Sequence, residues 1–181
     1  MRVVKLGGSL LEAGKLFDCL KYIVSQNKQT VVVCGGGVFA NTVRNTQKQC
    51  GFDDIAAHEM AILAMQQTAL LCENLQPEFV RFSRTQAFQN KQFSIWSPDV
   101  TELNNAKIKP SWEITSDSLA AWLTNQLKAD ELIIVKSCKV DSTLSVAKLA
   151  EQLIIDGEFS NFVEQARFGL KVTSTTEFLN T

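Results

Sequence analysis

Val3-Val4-Lys5-Leu6-Gly7-Gly8-Ser9 and Val31-Val32-Val33-Cys34-Gly35-Gly36-Gly37 are two short runs of strand formers that stop at glycines. A helical pattern follows each, so both read as strand–turn–helix junctions of an α/β domain. Glycine at such a junction lets the backbone approach a ligand closely and aim N–H groups at an anion. Two such turns in one domain suggest a ligand with several phosphates, or two ligands meeting between the turns. Lys5 brings a fixed positive charge to the first of them.

Working outward, residues 2–6 and 30–34 are strands, the second buried on both faces. Residues 12–26 carry Leu16, Leu20, Ile23 and Val24 at helical spacing. A polar helix over 38–49 has Val38, Phe39 and Val43 as its inner face, and Gly51 closes it. The pattern over 54–74 places Ile55, Met60, Ile62, Leu63, Met65, Leu70 and Leu71 around much of a helix, so neighbours or a second subunit should cover it. Beyond Pro77 come a strand at 79–82, a short polar helix at 84–90 and a strand at 92–96. Pro98, Pro110 and several Asn and Asp residues mark 97–111 as loop. Thr115 or Ser116 caps a helix through Leu127, and Leu132-Ile133-Ile134-Val135 is a buried strand ending at Lys136. From residue 145 on, two short helices, a strand at 170–174 and a last turn complete the chain.

Composition narrows the function. The chain has 181 residues and a formal net charge of -1, with no run of Lys or Arg. That fits a single domain and argues against a broad basic face for nucleic acid. Cys19, Cys34, Cys50, Cys72 and Cys138 are scattered, with no CxxC and no His at ligand spacing. Neither a disulfide scaffold nor a zinc site is expected, and a reducing cytoplasm is. The apolar N-terminal run is strand-length and interrupted by Lys5, unlike a signal peptide, and no stretch is long and apolar enough to span a membrane. No Walker A loop is present. Gly35-x-Gly37-x-x-Ala40 fits the loose dinucleotide fingerprint, but the next segment is helical, which leaves Asp53 and Asp54 in the wrong context for the acidic partner.

Two further groups of residues stand at element ends. Asp117 lies in the first turn of its helix, where supporting the helix dipole is the plain reading. Lys136 and Lys139 follow a buried strand, and ligands of open α/β sheets bind outside the carboxyl ends of strands. Taken singly these lysines are ordinary loop residues; the set of two glycine turns, Lys5, Asp117 and Lys136 is what points to a site. His58, the sole histidine, reads as a hydrogen-bonded core residue. Burial is the default for Trp96 and Trp122, while Trp112 precedes Asp117 in a loop and is the exception. Arg44 is a candidate for holding an acceptor phosphate or a solvated side chain, and Cys34 and Cys138 are spacers.

Lys5-Leu6-Gly7-Gly8-Ser9 resembles the opening KxGGS of the amino-acid-kinase superfamily, and Gly35-Gly36-Gly37 resembles its second glycine turn. Thr115-Ser116-Asp117-Ser118-Leu119-Ala120-Ala121 resembles its Asp-bearing helix start, and the run from Ala129 to Lys136 with Lys139-Val140-Asp141 resembles the following strand and turn. The resemblance covers residues 1–141 in order. It implies a three-layer αβα sandwich with a mostly parallel sheet, and an ATP-dependent kinase working on Mg-ATP. It also implies roles. Lys5 and Lys136 would neutralise the transferring phosphoryl group, and Asp117 would hold them. Gly7, Gly8, Gly36 and Gly37, with Ser9, Lys139 and Asp141, would bind phosphate and nucleotide. Gly35, Arg44 and Trp112 would face the acceptor. Mg²⁺ would arrive with ATP, and no protein metal ligands are expected. A homo-oligomer is implied as in many relatives.

The chain departs from larger relatives where Ser142 follows Val140-Asp141 and little chain remains. One domain over 1–181 with an abbreviated C-terminal nucleotide-binding lobe is therefore expected. The shortness, the wording from Trp112 to Ser118 and the helix around His58-Glu59-Met60-Ala61 are similar to short kinases of methanofuran and methylofuran biosynthesis. That resemblance implies an anionic acceptor, a phosphate monoester such as an aminomethylfuran-methyl phosphate. A non-catalytic metabolite-binding or regulatory domain of the same fold is the alternative.

Overall fold

In the computed structural model, which describes residues 1–164 and 166–180, strand β1 (Arg2–Leu6) lies in the middle of the sheet. Strands β2 (Thr30–Cys34), β3 (Val80–Phe82), β4 (Phe93–Trp96), β5 (Glu131–Lys136) and β6 (Gly169–Ser174) complete it in the order β3-β4-β2-β1-β5-β6. Every pairing is parallel, as chains that return through helices require. The sheet thus grows to one side from β1 to β2 and to the other from β5 to β6. Their carboxyl ends part at β1 and β5, where such sheets bind ligands.

The helices are α1 (Ser9–Glu12), α2 (Leu16–Ser25), α3 (Gly37–Cys50), α4 (Asp54–Leu75), α5 (Val100–Asn105), α6 (Ser116–Gln126), α7 (Val146–Glu151), α8 (Phe159–Val163) and α9 (Thr175–Leu179). Alternation along the strands splits the core into two layers. Val3, Val31, Leu132 and Ile134 pack with Leu119, Ala120 and Leu123 of α6. Val4, Val32, Ile133 and Val135 pack on the other face with Leu16, Leu20 and Ile23 of α2. Helix α4 joins both layers, giving Ile62 and Met65 to the first and Ala69 and Cys72 to the second. This is the expected αβα sandwich.

Several local expectations change. The helix read over 12–26 is two helices, because Gly14 breaks it in the left-handed region at φ +66°. Among the described residues of α3 only Val43 is buried, and Val38 is exposed. The loop at 97–111 contains α5, started by Asp99, whose carboxylate accepts the Glu102 N–H at 2.8 Å. The polar helix at 84–90 is a single 3₁₀ turn at Thr85–Ala87. The cysteines are less scattered than they read, as Cys34 of β2 and Cys72 of α4 meet at 3.3 Å as buried free thiols. Ile55, Leu63 and Leu70 stay about half exposed on α4.

The two glycine turns press against each other backbone to backbone. A Cβ on Gly8 would lie 2.4 Å from the Gly37 nitrogen, and one on Gly35 would lie 2.6 Å from the Gly8 nitrogen. Both glycines are therefore required by packing, whatever they bind. Gly8→Ala is expected to lower unfolding stability by about 1–3 kcal/mol through overpacking. Gly169→Ala, where the added carbon meets only ordinary contacts, is expected to stabilise by about 0.4–1 kcal/mol through chain entropy. Chemical denaturation compares the two, and equal effects would contradict the packing account.

Candidate active site

Strand parity brings the lysines together. Lys5 pairs with Ile134 across β1 and β5, and Lys136 lies two residues beyond Ile134. Both side chains therefore point to the face covered by α6, at the carboxyl end of adjacent strands. Asp117, in the first turn of α6, meets both: Lys5 Nζ lies 2.7 Å from Oδ1, and Lys136 Nζ donates to Oδ2 at 2.6 Å. The plain reading of Asp117 as a cap for its own helix is not what the structure shows.

Lys5 and Asp117 are only 3% and 2% exposed, and the Lys136 side chain 14%. Burial alone would push the Asp117 carboxyl up, but the ammonium groups of Lys5 and Lys136 outweigh it and hold it below the usual carboxylate range. Burial, reinforced by repulsion from Lys5, pulls Lys136 below its ordinary value against the attraction of Asp117. With all three charged, the triad carries one net positive charge.

A residue missed in the sequence holds α6 in place. Thr115 is the N-cap residue, but its side chain makes no capping hydrogen bond. Asp156, from the segment between α7 and α8, accepts the N–H groups of Thr115 and Ser118 at 2.9 and 3.0 Å. It also accepts the hydroxyl of Thr115 at 2.9 Å and that of Ser118. A carboxylate here satisfies first-turn donors and faces the positive end of the helix dipole. No local motif announces a cap supplied from 38 residues away. The segment after β5 contributes more: Thr175 donates to the Lys136 carbonyl at 2.8 Å, and the Ser9 and Ser137 hydroxyls meet at 2.7 Å.

Beside the triad lies a cavity of about 370 Å³. Gly8, Ser9, Gly35, Gly36, Gly37, Arg44, Trp112 and Lys136, all candidates from the sequence, line it. Glu12, Asp54, His58, Ile62, Met65 and Ser111 line it as well. Lys5 and Asp117 do not; both are buried behind the wall, and Lys136 is the member of the triad that lines the cavity. Gly7 also falls outside the lining, and its N–H donates to the Val135 carbonyl at 3.0 Å. That N–H extends the β1–β5 ladder and is not free for a phosphate, which corrects its assigned role. Gly35 is spent in the same way, its N–H bonding the Leu6 carbonyl at 2.9 Å. Gly8 and Ser9 open α1, and Gly36 and Gly37 open α3, where first-turn N–H groups lack intrahelical partners.

Lys139 and Asp141 lie outside this cavity. Lys139 is exposed, and Asp141 accepts from Thr143. Trp112 is half-buried; its Nε1–H donates to Gln47 at 2.6 Å and the Arg44 guanidinium stacks 4.4 Å from its ring centre. Trp96 is buried, as expected. His58 is buried too, but its Nε2 lacks the hydrogen bond expected of a core histidine. Among the described residues no group of three or more His, Cys, Asp or Glu is placed to hold a metal ion, and no helix is long and apolar enough to cross a membrane.

The fold and this site define a known class. Residues 1–79 match the family described as the amino acid kinase family. That match takes in both glycine turns and α4 and stops before Asp117 and Lys136. It is 32% identical over 139 residues to the [5-(aminomethyl)furan-3-yl]methyl phosphate kinase of Methanocaldococcus jannaschii, a match that takes in 74% of this chain. The chain spans 64% of the length of that curated relative. Among solved structures, uridylate kinase from Archaeoglobus fulgidus superposes with a TM-score of 0.75 at 22% identity, covering 99% of this chain and 94% of that one. UMP kinase from Ureaplasma parvum superposes with a TM-score of 0.71 at 17% identity, covering 96% and 88%. At these identities the superpositions establish the fold alone.

Burial of the triad sets its response to mutation and acid. Asp117→Ala leaves two buried ammonium groups unopposed and is expected to cost about 3–5 kcal/mol of stability. The Asp117 carboxyl is depressed in the folded state, so its contribution is complete above the unfolded value of about 3.9 and is lost as pH falls through the lower folded value. Urea denaturation from pH 7 downward checks this: Asp117→Asn should flatten the acid limb, and an unchanged limb would contradict the assignment. Asp156→Ala is expected to cost about 1–3 kcal/mol by orphaning the α6 donors.

Proposed function

We propose that the protein is an ATP-dependent kinase that transfers the γ-phosphoryl group of Mg-ATP to a small phosphate monoester held in the cavity. The observation that carries this reading is the Lys5–Asp117–Lys136 triad at the carboxyl ends of β1 and β5, beside two glycine turns. Phosphoryl transfer needs alignment and charge stabilisation more than covalent help from the protein. In the proposed reaction an acceptor phosphate oxygen attacks the γ-phosphorus in line. The bond to the ADP oxygen breaks, and a diphosphate and ADP leave. The attacking oxygen is already anionic, so no general base is required.

Lys136, on the cavity wall, contacts the transferring group. Lys5 adds its charge from behind, and Asp117 fixes both ammonium groups. N–H groups of Gly8, Ser9, Gly36 and Gly37 offer hydrogen bonds to phosphate oxygens. Magnesium would arrive with ATP, and on this reading Lys139 and Asp141, outside the cavity, would be left for the nucleotide. The name of the Methanocaldococcus jannaschii relative supports an aminomethylfuran-methyl phosphate as acceptor. A metabolite-binding domain without activity is the second reading, favoured by the placement of Lys139 and Asp141 outside the cavity.

ADP release from Mg-ATP, followed with and without [5-(aminomethyl)furan-3-yl]methyl phosphate, tests the reading. Acceptor-dependent ADP release is expected, and Lys136→Met should lower kcat by about 10²–10³-fold, the scale of losing one electrostatic contact to a transition state. A Lys136→Met variant as active as the parent would refute the assignment. On this reading a second copy of the chain packs on the exposed Ile55, Leu63 and Leu70 of α4. A monomer by light scattering at micromolar concentration would contradict that contact.

A further inference from the structure

One face of α4 runs along the cavity, with Asp54, His58, Ile62 and Met65 at helical spacing. The proposed chemistry uses none of them. Among the described residues, the buried side-chain atoms left without a partner lie on Arg2, His58 and Glu102, since Asp117 Oδ1 is ion-paired with Lys5, and of these three residues only His58 lines the cavity. His58 is 6% exposed. Leaving a buried ring nitrogen unsatisfied is unfavourable, and a ligand that completes its hydrogen bond removes that cost. Burial holds the imidazole below its ordinary value despite nearby Glu59, so the ring is neutral and offers a hydrogen bond, not a charge.

Asp54, one turn earlier, supplies the charge. Its Oδ1 accepts from Gln47 Nε2 at 2.9 Å, and the same Gln47 accepts from Trp112. The carboxylate is thus braced through Gln47 to the loop that closes the cavity. Beyond His58 the same wall is apolar at Ile62 and Met65. A ligand matching this wall has a compact apolar body and one cationic hydrogen-bond donor.

We propose that His58 and Asp54 form an acceptor-recognition pair: His58 accepts a hydrogen bond from an ammonium group on the organic part of the acceptor, and Asp54 balances its charge. Ile62 and Met65 pack against the apolar remainder. The proposal rests on the kinase reading only in taking the ligand to be a phosphate monoester.

Calorimetry on the whole protein, with [5-(aminomethyl)furan-3-yl]methyl phosphate and its amine-free analogue furan-3-ylmethyl phosphate, tests it. The parent should bind the amine-bearing compound at least about tenfold more tightly. His58→Phe and Asp54→Asn should each abolish most of that preference while leaving the affinity for the amine-free compound and for ADP within about twofold. His58→Gln, which keeps an acceptor oxygen, should retain part of it. The ligand-free Tm of His58→Phe should match or exceed the parent's, because an orphaned polar atom is removed. Equal binding of the two compounds by the parent, or an undiminished preference in His58→Phe, would overturn the proposal. So would a lowered Tm in His58→Phe that His58→Gln restores, since that marks a structural role. Amine-selective binding that depends on His58, with no ADP formed in the turnover assay, would support this pair and contradict the kinase reading alone.

Discussion

A single buried carboxylate between two ammonium groups organises this molecule. Asp117 is 2% exposed and touches both Lys5 and Lys136. Three charges removed from water are a poor source of stability, and apolar residues of similar volume often do as well or better. On the proposed kinase reading, their placement at the carboxyl ends of two central strands puts one net positive charge where a phosphoryl group would lie. In low-dielectric surroundings a fixed cation acts on a phosphoryl group far more strongly than it would in water, with no reorganisation at the moment of transfer.

The rest of the fold serves that triad. Parallel pairing of β1 with β5 sets the parity that turns both lysines to one face. Helix α6 must then start at a defined height above the sheet, and Asp156 holds its first turn there. The segment after β5 also ties Lys136 through Thr175. The glycine turns have two duties. Their close packing sets the spacing of the β1 and β2 junctions, and Gly8, Gly36 and Gly37, at the starts of α1 and α3, line the cavity. Gly7 and Gly35 serve only the first duty through their N–H groups, which continue the sheet.

The strands and the glycine turns were legible because each rests on local signals, whereas the joining of Lys5, Asp117 and Lys136 came from the family resemblance. Short runs rich in Val and Ile that stop abruptly at glycines are visible without knowing the fold. What was not legible depends on distant contacts. Asp156 looks like any loop acid until its segment folds back on α6. The separation of Lys5 from the cavity, and the loss of the Gly7 N–H to the sheet, follow from three-dimensional register. Helix α5 was missed although Asp99 and Glu102 carry a capping pattern, because two flanking prolines dominated the reading. The orphaned nitrogen of His58 appears only once its neighbours are placed.

The most direct test of the central claim is a crystal structure of the protein with Mg-ADP, a metal fluoride that mimics the transferring phosphoryl group, and the acceptor phosphate. The account predicts the fluoride group within about 3 Å of the Lys136 ammonium, with Asp117 still bridging Lys136 to Lys5. A fluoride group bound elsewhere, with the triad untouched by any ligand, would contradict it.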